Sequence, residues 1–254
     1  VKYLHELPVI FVNYTLGSGG WFLASLIQKW ENPAVDLVID SKGSGHANTF
    51  IRHINNFYKD YLHSDIGQAI VHNKFWDQYS RNQRIEHLQK SAKIEKNNNQ
   101  CIVISLHCAD LEIFIEAFPL AKFVSISIDH AHLMTCRYNF LYKAIASRPE
   151  LFKGMAEEYQ VDLDLSLEQI KNLNKINLEK LSWVDPEIIK FMPKVSYPYD
   201  NVISVNYNDY MFADEIKFLD TIAEFLNVDI VKEQFDQTVD TLVAYRLSQP
   251  RLPI

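Results

Sequence analysis

Glycine is scarce in this chain, with only seven in 254 residues, so where it occurs is informative. Three of the seven, Gly17, Gly19 and Gly20, fall within four positions of "TLGSGGWF". Cysteine is scarcer still. Cys101, Cys108 and Cys136 are odd in number and widely spaced, which argues against a disulfide framework and a CxxC zinc site and fits a reducing compartment. No apolar stretch nears the roughly 20 residues a membrane span needs, and residues 1–20 lack a basic segment followed by an apolar run. Positive charge is short as well: 25 Lys and Arg against 32 Asp and Glu leave a net charge of -7. Phosphate backbones demand clustered basic side chains, so no general nucleic-acid partner is expected and only a local basic pocket stays open. The expected setting is soluble and cytoplasmic, with no membrane span.

What is present is an ordinary globular composition, 48% hydrophobic and 22% charged, able to bury a sizeable core. The apolar runs "VIFVNY" (9–14), "VDLVI" (35–39), "CIVIS" (101–105) and "KFVSISI" (122–128) read as buried parallel strands, and "NVISVNY" (201–207) as a fifth. Helical spacing follows several of them. Phe22, Leu23, Leu26, Ile27 and Trp30 recur at three- and four-residue intervals, as do Leu111, Ile113, Phe114, Ile115 and Phe118 before Pro119. Ile216, Leu219, Ile222, Ala223 and Leu226 make one face of an amphipathic helix expected over 211–230.

Strands alternating with helices predict an α/β fold: a doubly wound, mainly parallel sheet of about five strands with helices on both faces. The loops after the strands then gather along one edge, where such sheets bind ligands. Segments 47–97 and 149–198 carry no strand signal and read as helical insertions on one domain covering 1–254.

The stretch "VIFVNYTLGSGGWFLASLIQKW" (9–30) is a strand, a glycine turn and a helix. Such a turn presents backbone N–H groups and the positive end of a helix dipole to an anion, usually phosphate. It is not a Walker A motif, since GxxxxGK[ST] is not met and no lysine lies between Lys2 and Lys29. It also lacks the third glycine of a Rossmann loop. A tight turn where helix and strand pack closely explains the glycines equally well.

In order along the chain, "LGSGGWFL", "SLHCADLEIFIEAFPLAKFVSISIDHAH" and "NVISVNYNDYMFADEIKFLDTIAEFLNV" resemble the sulfotransferase family of P-loop type. Pro119, Ala121, Lys122 and Phe123 match that family's middle segment, and Tyr207, Asp209, Phe225 and Leu226 its late one. The resemblance implies 3′-phosphoadenylyl sulfate as co-substrate, a hydroxyl acceptor, and no metal. It places the 5′-phosphosulfate on the backbone of Gly17, Ser18, Gly19, Gly20 and Trp21, and gives His107 the place of the base that deprotonates the acceptor. The departures are specific. Gly17 stands where the family has its lysine, Ile128 where it has an arginine, and Cys136 where it has a serine, so the expected partners of the sulfuryl group and of the 3′-phosphate are missing. A non-catalytic module that keeps the fold and an anion site is therefore the alternative.

Other residues are candidates to compensate. Lys42, in "DSKGSGHAN" (40–48) after the second strand, is expected on the same edge of the sheet as the glycine turn, where it would replace the missing lysine, although the segment is also ordinary turn composition. Arg137 and Arg246 are candidates for the 3′-phosphate, the latter in a tail, "AYRLSQPRLP", expected to fold back over the nucleotide. Asp129, His130, His132 and Cys136 are all metal-ligating types, but their order matches no trusted spacing. His107 and Cys108 are adjacent, and side chains of adjacent residues on a strand point in opposite directions. The aromatics Phe57, Tyr58, Tyr61, Phe75, Trp76 and Tyr79 either pack helices onto the sheet or line an acceptor pocket.

Overall fold

The computed structural model describes residues 2–14, 18–31, 37–39, 45–47, 79–91, 93–94, 102–106, 111–129, 132, 195–213 and 216–248. In chain order the elements are β1 (Lys2–Tyr3), β2 (Val9–Asn13), α1 (Gly20–Glu31), β3 (Leu37–Ile39), β4 (Gly45–Ala47), α2 (Arg81–Ser91) and β5 (Lys93–Ile94). They continue with β6 (Ile102–Leu106), α3 (Leu111–Ala117), β7 (Lys122–Ser127), β8 (Val202–Asn206), α4 (Tyr207–Met211), α5 (Lys217–Leu226) and α6 (Lys232–Ser248).

Every residue of β2 is buried, as its unbroken apolar run requires of a strand covered on both faces. It lies between β6 and β7, with β8 beyond β7, and all three pairings are parallel. Phe11 stands opposite Ile104 on one side and Phe123 on the other. Alternation along the strands divides the core. Ile10, Val12, Val124 and Ile126 pack with residues of α1, α5 and α6, whereas Val9, Phe11, Ile104 and Phe123 pack with residues of α2 and α3. On the second face the Phe11 ring stacks on Phe123 with centroids 5.1 Å apart and meets Phe114 edge-on at 6.1 Å. Helices thus cover both faces of a parallel sheet, the α/β architecture that the strand and helix patterns predict.

Several expectations need correction. The run 35–39 does not join the parallel sheet. Leu37–Ile39 pairs antiparallel with Gly45–Ala47 in a separate two-stranded sheet beside α1; the short return between the two permits only an antiparallel pair, since a parallel one needs a crossover of a dozen or more residues. The large sheet accordingly has four strands among the described residues, not five. Segment 47–97 also carries a strand, since Lys93–Ile94 pairs antiparallel with Lys2–Tyr3; segment 149–194 lies outside the described residues.

The helix expected over 211–230 is shorter. Tyr207–Met211 forms its own turn, α4, capped by the Asn206 side chain, which accepts the Asn208 N–H at 2.8 Å. α5 runs only from Lys217 and closes at Asn227, which takes a left-handed φ of 60°. The Val228 N–H then reaches back to the Ala223 carbonyl at 3.0 Å. Lys122, read above only as a family match, donates from Nζ to the Phe225 carbonyl at 2.7 Å and so satisfies the end of α5.

The stretch read as a C-terminal tail is, through Ser248, the end of α6, a 17-residue helix. α6 lies antiparallel along α1. Near its start Gln234 Nε2 donates to the Lys29 carbonyl at 3.0 Å and Thr238 Oγ1 accepts from Trp30 Nε1 at 3.0 Å. Near its end the Tyr245 ring stacks on Phe22 at 3.9 Å, within 8° of parallel. No helix among the described residues is long and apolar enough to cross a membrane.

Candidate functional site

The chain leaves β2 with the Tyr14 N–H still donating to the Leu106 carbonyl at 3.0 Å. The description resumes at Ser18, which is fully buried, and at Gly19, whose φ of 76° is left-handed. The Gly19 carbonyl accepts the N–H groups of Phe22 at 2.9 Å and Leu23 at 3.2 Å, so Gly19 opens α1. The first N–H groups of a helix have no intrahelical acceptor, and here they sit at the C-terminal end of the central strand.

The glycines answer to their neighbours. A Cβ on Gly19 would lie 2.6 Å from the Tyr245 hydroxyl and 3.2 Å from that of Tyr210. A Cβ on Gly20 would overlap the Tyr14 ring and lie 2.5 Å from Tyr14 Cβ. Gly20 is therefore accounted for by close packing of strand end on helix start.

A tyrosine cluster surrounds the turn. Tyr210, on α4, is wholly buried and donates its hydroxyl to the Gly19 carbonyl at 2.8 Å. Burial pushes its phenol well above the ordinary tyrosine range; Tyr245, Tyr207 and Tyr14 add to the effect and Arg246 opposes it. Arg246 holds this arrangement from behind. Its Nε and Nη2 donate to the Tyr210 carbonyl at 2.9 and 2.7 Å, Nη2 also to Asp209 O at 2.9 Å, and Nη1 to Ala213 O at 2.7 Å. Its three nitrogens are thus committed to the backbone around α4. This is a different employment from the 3′-phosphate contact expected of it, and it follows from Arg246 lying in the last turn of a helix and not in a tail.

A second polar corner lies at the same edge, after β7 and β8. Asp129 Oδ1 accepts the His132 backbone N–H at 2.8 Å, and its Oδ2 lies 2.6 Å from His132 Nδ1. That backbone N–H first, then the His132 ring and the Asn208 side chain, hold the Asp129 carboxyl below the usual carboxylate range. The His132 ring faces Tyr207 and Phe212 at centroid distances of 5.9 and 5.7 Å. Deeper in the sheet, Asn13, Ser125 and Ser204 stand in register across β2, β7 and β8. The Ser125 and Ser204 hydroxyls are buried without a hydrogen-bond partner among the described residues.

Of the residues singled out in the sequence, the structure brings Gly19 and Arg246 to Tyr210, while Gly20 packs on Tyr14 and Ser18 is buried. Trp21 contributes its backbone to the first turn of α1. Gly17, Lys42, His107 and Arg137 lie outside the described residues. Ile128 is buried in the core. Of the four metal-ligating types noted in the sequence, Asp129 and His132 bond each other, and His130 and Cys136 lie outside the described residues. Sequence reasoning did not single out Tyr210 and Tyr245, nor Asp129 with His132 as a pair. The signal for the pair is Asp-x-x-His directly after a strand, the spacing at which a carboxylate accepts a nearby backbone N–H.

No protein-family model matches the chain, and no curated protein matches it. Among solved structures it is similar to a sulfotransferase domain from the curacin biosynthetic pathway, at 13% identity over 90% of this chain and 77% of that one, with a TM-score of 0.35.

Proposed function

We propose that the chain is a sulfotransferase-like protein that seats the phosphosulfate of 3′-phosphoadenylyl sulfate at the start of α1 and transfers the sulfuryl group to a hydroxyl acceptor. The observation that carries this reading is the glycine turn itself. It opens a 12-residue helix at the C-terminal end of β2, and β2 is the strand at which the chain reverses direction across the sheet: β6 lies on one side of it and β7 on the other. Open α/β sheets bind ligands at such a switch point. The helix start supplies N–H donors and a positive dipole end to the anion.

In this reading Arg137 supplies the positive charge missing at Ile128, whereas Lys42 follows a strand that lies outside the parallel sheet, so the charge missing at Gly17 falls to the positive end of α1. A histidine at the strand ends takes the acceptor's proton, and the resemblance gives that place to His107. Arg246 acts indirectly, by holding the α4 backbone that carries Tyr210.

A second reading, an anion- or nucleotide-binding module without catalysis, is favoured by the absence of the family's lysine, arginine and serine at Gly17, Ile128 and Cys136. Calorimetric titration with adenosine 3′,5′-bisphosphate, with AMP and ATP as controls, tests the site. Micromolar binding that depends on the 3′-phosphate supports it. A folded protein that does not bind the bisphosphate overturns the transfer reading and leaves the glycine turn as architecture or as a site for a different anion. Release of labelled sulfate from the co-substrate then separates enzyme from module.

A further inference from the structure

The corner formed by Asp129 and His132 has the geometry of a base held by an orienting acid. The carboxylate grips His132 twice, at the backbone N–H and at Nδ1, with distances of 2.8 and 2.6 Å. A carboxylate at Nδ1 keeps the imidazole proton there and leaves the Nε2 lone pair to accept another. The side chain is 24% exposed and lies against the Tyr207 and Phe212 rings, so it is both walled and reachable. Beside it, Asn208 Oδ1 is buried with no hydrogen-bond partner among the described residues. An acceptor at Nε2 suits a ligand that brings a hydrogen-bond donor, such as a hydroxyl group.

α4 links this corner to the glycine turn. Tyr207 meets the His132 ring, while Tyr210, three residues on, donates to the Gly19 carbonyl. Residues three apart lie on the same face of a helix, with Cβ atoms about 5–6 Å from each other. One turn of α4 therefore touches both the His132 ring and the glycine turn.

We infer that His132, oriented by Asp129, is the base that deprotonates the acceptor, in the role the resemblance assigns to His107. The inference rests on the transfer reading above. The acceptor O–H proton passes to His132 Nε2, and the oxygen's electron pair forms the new O–S bond. The bond from sulfur to the bridging oxygen of the phosphosulfate breaks, and its electron pair leaves with adenosine 3′,5′-bisphosphate. Asp129 is a positioning residue that also stabilises the imidazolium until its proton passes to solvent.

Three measurements on the full chain test it. Long-range proton–nitrogen spectra report the tautomer: Nδ1–H is expected for His132 in the wild type, with a shift toward Nε2–H in Asp129→Asn. Labelled sulfate released from 3′-phosphoadenylyl sulfate with water as acceptor should fall ~100-fold or more in His132→Gln, within the usual range for a lost general base. Asp129→Asn should lose less. Calorimetry should show bisphosphate affinity unchanged in both variants.

An Nε2–H tautomer in the wild type overturns the inference. So does release that persists in His132→Gln and vanishes in His107→Gln, a result that leaves the transfer reading standing. If the wild type binds no bisphosphate or releases no sulfate, the transfer reading falls instead, and with it the reaction step assigned to His132. The tautomer then decides the Asp129–His132 pair on its own.

Discussion

Adding one carbon at Gly20 separates architecture from anion binding. In Gly20→Ala the new methyl would overlap Tyr14 Cγ and Cδ1 and lie 2.5 Å from Tyr14 Cβ. Because Cβ is among the atoms met, rotating the Tyr14 ring cannot clear the overlap, and either the end of β2 or the start of α1 must shift. Overpacking of this kind costs about 1–3 kcal/mol, and the backbone involvement places this case near the upper figure. Alanine's helix advantage over glycine, about 1 kcal/mol in a helix interior, offsets only part of that at the first residue of a helix. A net loss of about 2 kcal/mol corresponds to a fall in Tm of roughly 4–8 °C for a chain of this size.

Thermal unfolding followed by circular dichroism measures the shift, and partner variants show where it comes from. Tyr14→Ala removes the ring but keeps Cβ, so it should relieve the Gly20→Ala penalty partly; Tyr14→Gly should relieve it fully. In the second case the double variant should be about 2 kcal/mol more stable than the sum of the singles implies. A Gly20→Ala protein that melts with the wild type, or that is strictly additive with Tyr14→Gly, refutes the packing account. Lost nucleotide affinity at unchanged stability would mean instead that the glycine serves the ligand.

Tyr210→Phe should cost about 1 kcal/mol at neutral pH, one net hydrogen bond, since the Gly19 carbonyl keeps two amide donors. The folded phenol titrates above its unfolded value, so Tyr210's contribution is whole below about pH 10 and declines above it by about 1.4 kcal/mol per pH unit. Denaturant titrations should show wild-type stability falling more steeply than that of Tyr210→Phe in this range, and parallel curves would contradict the assignment. Arg246→Ala, which leaves the Asp209, Tyr210 and Ala213 carbonyls without their charged donor, should lose about 2–3 kcal/mol. Arg246→Lys should recover less than half, because a point ammonium cannot reproduce a planar fork; equal stability of the two variants would argue against the clamp.

The α/β fold was legible where side-chain pattern alone decides. β2, β6 and β7 are apolar runs that suit a strand covered on both faces, and the apolar spacing of α1 and α3 leaves little choice of face. Partner choice was not legible. Leu37–Ile39 has the composition of a central strand, and its antiparallel pairing with Gly45–Ala47 depends on the chain turning back after so few residues. The break between α4 and α5 was hidden because the apolar periodicity of α5 continues upstream of the residue at which the helix begins.

At the candidate site, the glycine turn announced itself by composition. Its tyrosine surround did not, because Tyr210 and Tyr245 come from elements about 190 and 225 positions later and carry no local mark of what they will touch. The Asp129–His132 pair was visible as residues but not as a pair, since sequence lists metal-ligating types without saying which of them bond one another.

The placement of α6 sets the order in which the molecule can be completed. α1 is synthesised well before α6, yet Tyr245, which stacks on its first turn, and Arg246, which steadies Tyr210 against Gly19, lie near the end of α6. During synthesis the nascent glycine turn spends its time without either. Its final shape is a late event that needs the far end of α6 to have cleared the ribosome, and a chain stopped before Tyr245 would hold a nearly whole sheet with an unfinished turn. Contacts of such separation are also the slow ones to form once the chain is free.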